Sequence, residues 1–364
     1  MATITSAAAT TLRLASPNGL IARTVLPHSP RNATPLEAPM ISLNNMFSAD
    51  LEQRKEVARH IRSAATTTGV FYIKDHGMPE SVINNAYQAS LDFFRQDMAT
   101  KIKAKAPGSN NFAGYFPPKA MMINPTEGYD VKEMIITRYD PRYDPCVDDP
   151  AAIPGYIAKG FRYQDMPWDG TSSVPQFKEA FIKYYQEGLK LTRALMRAFA
   201  LSLDLEETYF DSKMRHPNIN TNVNYYPAIE APTGKAPSAF GSHTDFQVFT
   251  VLWQDHVGGL QVLNREGQWI NIPPKPNTFV VNIADLMQRI TNDVYISPVH
   301  RAHNWTGTER ISMPLATGFG NHEEISVVPT CLGADGKAKY DTITVDEWVT
   351  RRLDTMIKLQ SEAA

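Results

Sequence analysis

Two cysteines in 364 residues, Cys146 and Cys331, are too few for a disulfide framework. They are read as free thiols and suit a reducing, cytoplasmic setting. No apolar run approaches the roughly 18 residues that would cross a bilayer, so no membrane association is expected. A net charge of −2, from 36 basic and 38 acidic residues, leaves no basic excess to grip a phosphate backbone. Nucleic acid is therefore not an expected partner. Acidic residues are missing altogether from the first 36 positions. That stretch is rich in Ala, Ser and Thr and carries Arg13, Arg23 and Arg31, the composition of a transit peptide. Pro17, Pro27, Pro30 and Pro35 would break any amphipathic helix, and residues 1–38 are read instead as a flexible arm.

What is present is the composition of a globular protein, 43% hydrophobic and 20% charged. From Ile41 the periodicity predicts a helix over 49–65 capped by Ser48, a strand over 69–73, and a second helix begun by Pro79. Residues 105–172 are irregular and suit binding loops. A long helix over 175–202 follows, with Phe181, Tyr184, Tyr185, Leu195 and Phe199 as its apolar stripe. After Asn218 short β segments recur over 220–226, 248–253, 260–263, 278–283, 297–300 and 310–319, which predicts a sandwich or jelly roll. Thr344 and Glu347 read as a capping box for a last helix to about residue 359. The regions are thus an arm over 1–38, helices and strands over 39–217, a β core over 218–330 and a C-terminal segment over 331–364.

Within the core, His243 and Asp245 alternate with Thr244, so an extended strand would put both on one face. His300 follows 55 residues after Asp245. Two imidazoles and a carboxylate can occupy one face of an octahedral ion and leave positions open for substrate and oxygen. The same set could hold zinc for hydrolysis. Arg310 and Ser312 share a strand face ten residues further on, and a guanidinium fork with a hydroxyl suits the end of a dicarboxylate. Of the other seven histidines, six, His216 and His322 among them, have no partner at ligand spacing, and His303 is out of register with His300 for the same strand face; all seven are read as structural or surface residues.

Together these motifs resemble the isopenicillin N synthase-like branch of the 2-oxoglutarate- and Fe(II)-dependent dioxygenases. The resemblance rests on His243-Thr244-Asp245, His300-Arg301, Arg310-Ile311-Ser312, Asn224-Tyr225-Tyr226-Pro227 and Gly258-Gly259-Leu260-Gln261-Val262 with Trp269. It extends to Pro39–Leu43 and Gly69–Gly77, covering residues 39 to 330. It implies a double-stranded β-helix, Fe(II) on His243, Asp245 and His300, and 2-oxoglutarate as co-substrate with O2. The far carboxylate of 2-oxoglutarate would meet Arg310 and Ser312, with Tyr226 and Asn224 hydrogen-bonding to it. It also implies that the segment Tyr129–Glu133 runs beside the active-site mouth, making Tyr115, Phe116, Met134 and Ile136 candidates for substrate contact. The expected activity is oxidation of a small organic molecule of specialised metabolism by hydroxylation, desaturation or rearrangement, with no obligate protein partner. An oxidase of this fold that does not consume 2-oxoglutarate, and a non-catalytic binding protein on the same scaffold, are the alternatives.

Overall fold

Alternating apolar residues build two sheets whose inner faces meet. In the computed structural model, which describes residues 8–16, 19–106, 113–161, 166–229, 239–304 and 306–363, the larger sheet has eight strands. Their order is Met40–Ser42, Val70–Lys74, Phe279–Ile283, Phe249–Gln254, Arg310–Gly318, Asn218–Tyr226, Glu133–Thr137 and Gly114–Phe116. All neighbours pair antiparallel except the first two, which run parallel. The smaller sheet orders Arg31–Asn32, Trp269–Asn271, Leu260–Leu263, His300–Ala302 and Phe240–His243. Val70, Tyr72 and Val280 of the first sheet pack on Leu260, Val262 and Ile270 of the second, closing one end of a jelly-roll core.

Strands from residues 40–137 and from 218–318 share the larger sheet, so the regions on either side of residue 217 form one body. Its outer face is covered by the 27-residue helix Gln176–Ser202, where Phe199 packs 5.1 Å from Phe249 and the Tyr184 hydroxyl donates to the Met313 carbonyl. Gly258 and Gly259 both adopt positive φ, and a Cβ on Gly259 would lie 2.0 Å from the His303 carbonyl oxygen. That contact only glycine permits.

Several expectations shift. The first helix spans Leu51–Thr67 and is capped by Asp50, whose carboxylate accepts from the Glu52 amide; Ser48 instead accepts from the Asp50 amide. Pro79 precedes the helix Glu80–Phe94 as its cap residue. The Thr344–Glu347 capping box forms reciprocally, and its helix runs on to Ala363. The largest correction concerns the arm. Thr10–Ser16 and Gly19–Val25 pair as an antiparallel hairpin, and Leu12 and Leu14 are buried against Leu263, Trp269 and Val299. Inward leucines at alternate positions give this stretch an apolar face to bury, which outweighs its coil-like composition. Residues 1–7 of the expected arm, with Pro17, lie outside the described residues.

Candidate active site

His243 closes its strand and His300 opens the neighbouring one, and the two pair directly in the antiparallel register, ring centroids 4.3 Å apart. Asp245 lies just beyond the strand end, so simple alternation does not place it. Its carbonyl accepts from the Asp285 amide at 2.9 Å, and the turn brings Oδ1 to 3.6 Å from His243 Nε2 and 3.8 Å from His300 Nε2. The three ligand atoms lie within 4.8 Å of one another.

Each group is held so that one atom stays available. His243 Nδ1 sits 2.7 Å from the Gly241 carbonyl and His300 Nδ1 3.3 Å from that of Pro298. Such contacts fix the proton on Nδ1 and turn the Nε2 lone pair inward. Asp245 Oδ2 accepts from Asn282 Nδ2 at 2.8 Å and from the Thr250 hydroxyl, leaving Oδ1 as the free ligand atom. Burial and the neighbouring His243 push the His300 imidazole down to about 4, so it is neutral near pH 7. Burial opposes ionisation of Asp245, but the adjacent imidazoles and the Thr250 hydroxyl prevail and hold its carboxyl well below the usual range.

The larger sheet faces this cluster with a second group. Arg310 pairs in register with Tyr226, and Ser312 with Asn224, making a compact set of four side chains across two adjacent strands. Arg310 is 1% exposed, stacks 4.6 Å over the Tyr226 ring and touches Gln254 Oε1 at 3.5 Å through one nitrogen. Its Nε and Nη1 have no hydrogen-bond partner among the described residues. A guanidinium so desolvated calls for an anion, since burying an unpaired charge is costly. Arg310, Ser312, Tyr226 and Asn224 share a chamber of about 110 Å³ with His243, Asp245 and His300. At the roughly 10–15 Å³ of such free space that one water-sized group needs, that is room for about seven to eleven heavy atoms, the size of a small dicarboxylate. Iron at one end and a dicarboxylate reaching to Arg310 both fit these donors.

A larger chamber of about 370 Å³ opens from the same cluster, within the roughly 300–1,000 Å³ of organic-ligand pockets. Met134, Ile136, Phe161, Leu353 and Met356 give it apolar walls. Along one side run Asn218, Asn220 and Asn222, and Asn224 continues the row into the small chamber. Period-two spacing sets all four on one face of the strand, while Ile219 and Val223 turn into the core. Of the four residues expected near the substrate, Met134 and Ile136 line the larger chamber, whereas Tyr115 and Phe116 line neither. Tyr115 is buried against Phe93 and Phe94 with its hydroxyl on Glu133. His216 and His322, read as structural or surface residues, also line the larger chamber.

Residues 218–318 match the 2OG-Fe(II) oxygenase superfamily, and residues 38–155 match the N-terminal region described as "non-haem dioxygenase in morphine synthesis". The chain is 49% identical over 360 residues to the 2-oxoglutarate-Fe(II) type oxidoreductase ppzC of Metarhizium majus, covering 96% of each protein. The chain belongs to the 2OG-Fe(II) oxygenase superfamily. A 2OG-Fe(II) oxygenase from Monascus ruber, the 2-oxoglutarate-dependent dioxygenase citB, is 30% identical across 84% of this chain and 91% of its own length. Among solved structures, a full-length Neurospora crassa protein in complex with alpha-KG aligns with a TM-score of 0.73 at 25% identity, over 89% of this chain and 98% of that one. The present 2OG-Fe(II) oxygenase is therefore a 2-oxoglutarate-dependent dioxygenase that uses Fe(II) and acts on small molecules.

Four side chains around the cluster were not singled out by sequence: Lys132, Thr250, Asn282 and Arg352. Thr250 and Asn282 sit on neighbouring strands in direct register, a pairing visible only after folding. Arg352 approaches from the last helix, and Lys132 lies in the segment expected beside the active-site mouth.

Proposed function

We propose that His243 Nε2, Asp245 Oδ1 and His300 Nε2 hold the Fe(II), and that 2-oxoglutarate spans the small chamber from the metal to Arg310 and Ser312. What carries this reading is the pair of unsatisfied ends in one cavity: three converging ligand atoms at one and, at the other, a desolvated guanidinium that makes no ion pair among the described residues. Tyr226 supports the guanidinium from below, and Asn224 offers a hydrogen bond along the co-substrate. With iron, 2-oxoglutarate and O2 in place, the site has an oxidant able to take hydrogen from an unactivated carbon, so hydroxylation, desaturation and rearrangement are all open to it.

The remaining work falls to the chain. The apolar walls exclude water, and the row of asparagine amides orients a small organic molecule with its reacting carbon towards the His243 face. Cytoplasmic residence suits the free thiols of Cys146 and Cys331, and no helix among the described residues is long and apolar enough to cross a membrane. Relatives such as ppzC and citB favour a substrate from specialised metabolism. The reading is tested by anaerobic titration with Fe(II) and 2-oxoglutarate followed by visible absorption, then by a metabolite screen for oxygen-dependent succinate release. Product formed under oxygen with Fe(II) and no 2-oxoglutarate would overturn the co-substrate assignment.

A further inference from the structure

The small chamber contains a second cation besides Arg310, on the far side of the Tyr226 strand. Lys132 is 4% exposed, immediately precedes the strand Glu133–Thr137, and so falls beside Tyr226 when that strand's register with Asn218–Tyr226 is continued by one residue. Its ammonium donates to Asn224 Oδ1 at 2.8 Å and rests 3.2 Å from the centre of the Phe240 ring, which itself lies 4.4 Å from the His243 ring. Among the described residues no carboxylate is within 4.0 Å of it. Asp130, the acidic group that most favours its charge, has its own oxygens taken by the amides of Gly241 at 3.0 Å and Ile123 at 3.3 Å. A lysine buried to this degree without an ion pair is costly. Among the described residues its three donors meet one hydrogen-bond acceptor, the Asn224 amide oxygen.

Resting on the reading of this chamber as the 2-oxoglutarate site, we infer that Lys132 is a second anchor for the co-substrate, pairing with the carboxylate nearer the metal. Position decides which end it serves. Arg310 with Ser312 already meets the far carboxylate, and a second ammonium there would oppose the guanidinium. The Lys132 ammonium instead lies on Phe240, the residue stacked on a metal ligand, and is hydrogen-bonded to Asn224, part-way between the two ends. Its long stem and three donors let it follow the ligand, whereas the Arg310 fork is fixed.

The test is anaerobic calorimetric binding to the Fe(II)-loaded protein of two probes, 2-oxoglutarate and 2-oxopentanoate, the second lacking the far carboxylate. Lys132→Met should weaken both by a similar factor, about tenfold or more for a lost hydrogen bond to a charged group. Lys132→Arg should recover part of that loss, with thermal unfolding reporting that the variants are folded. Arg310→Gln should weaken 2-oxoglutarate alone. A Lys132→Met protein that binds both probes like wild type, or that loses only 2-oxoglutarate, would overturn the inference while an Arg310→Gln loss kept the chamber assignment. Insensitivity of 2-oxoglutarate binding to both substitutions would overturn the chamber assignment itself.

Discussion

Arg352 reaches from the last helix to Thr244, the residue between two members of the metal cluster. Its Nη2 donates to Thr244 Oγ1 at 2.9 Å and its Nε to Asp285 Oδ2 at 3.1 Å, while the Thr244 hydroxyl donates to that same Asp285 oxygen at 2.9 Å. The backbone amide of Asp285 holds the Asp245 carbonyl, so the network fixes the turn that aims Asp245. Arg352→Met should leave a buried carboxylate unpaired and cost about 3–5 kcal/mol, measured from the denaturant midpoint. Adding Asp285→Asn should restore most of it. A single variant as stable as wild type would show that the pair is dispensable.

Asp245→Ala and His300→Ala should abolish turnover and Fe(II) binding with the fold retained, because no other carboxylate or imidazole among the described residues belongs to the cluster. Asn282→Ala removes one of the two hydrogen bonds to Asp245 Oδ2, leaving that from Thr250, and should lower metal affinity by roughly 10–100-fold without eliminating it. Equilibrium Fe(II) binding with a competing chelator separates the two classes. Near-wild-type affinity in Asp245→Ala would remove the assignment.

Arg310→Gln removes one partner of a buried charge pair, a loss of about 3–5 kcal/mol, or on the order of a hundredfold or more in 2-oxoglutarate affinity. Arg310→Lys lacks the planar fork and should recover only part. Ser312→Ala deletes one hydrogen bond to a charged group and should cost about 1.5–3 kcal/mol. Iron affinity should barely move in any of them. A dissociation constant within about twofold of wild type for Arg310→Gln, some ~0.4 kcal/mol, would show the arginine to be structural.

Burial pushes the Lys132 amine down to about 7, against the pull of Asp130; Arg310 adds to the depression and Asp245 opposes it. The charged form therefore dominates below that value and is lost as pH rises through it. If the ammonium is the binding form, the apparent affinity for 2-oxoglutarate scales with its population. Between pH 6 and pH 8 that population falls roughly tenfold, and affinity should fall with it. Lys132→Met should flatten the profile over the same range, and a wild-type profile already flat there would refute the link.

Leu353→Trp should fill part of the larger chamber from the last helix. It is expected to raise KM for the organic substrate, or to stop its turnover, while Fe(II) and 2-oxoglutarate bind as in wild type. Equal loss of co-substrate binding would show that the two chambers are not separable.

The Arg310–Ser312 pair was legible because residues two apart on a strand share a face. Asp245 instead reaches the two histidines through a turn past the strand end, so alternation along a strand picks out His243 and Asp245 for a reason the fold does not use. The support around these residues was not legible. Thr250 and Asn282 meet Asp245 through strand register, and Arg352 arrives 107 positions after Asp245 from a helix whose sequence shows only that it is amphipathic. The asparagine row was within reach, since Asn-Ile-Asn-Thr-Asn-Val-Asn repeats with period two. The hairpin at residues 10–25 had the same kind of signal in Leu12 and Leu14, masked by a composition typical of coil. Boundaries moved where two residues could each cap, as Ser48 and Asp50 do.

That hairpin lies against the last helix, and Arg13 and Glu362 form an ion pair at 2.6 Å across 349 positions. The Arg13 carbonyl also accepts from Asn124 Nδ2, which donates as well to the carbonyl of Ser242, next to His243. The hairpin at one end of the described chain and the helix at the other thus brace one another on the side of the metal cluster. Contacts of such sequence separation cannot form until that helix has been made. A nascent chain can assemble its two larger sheets before then, but this side of the active site has to wait for residues 345–363.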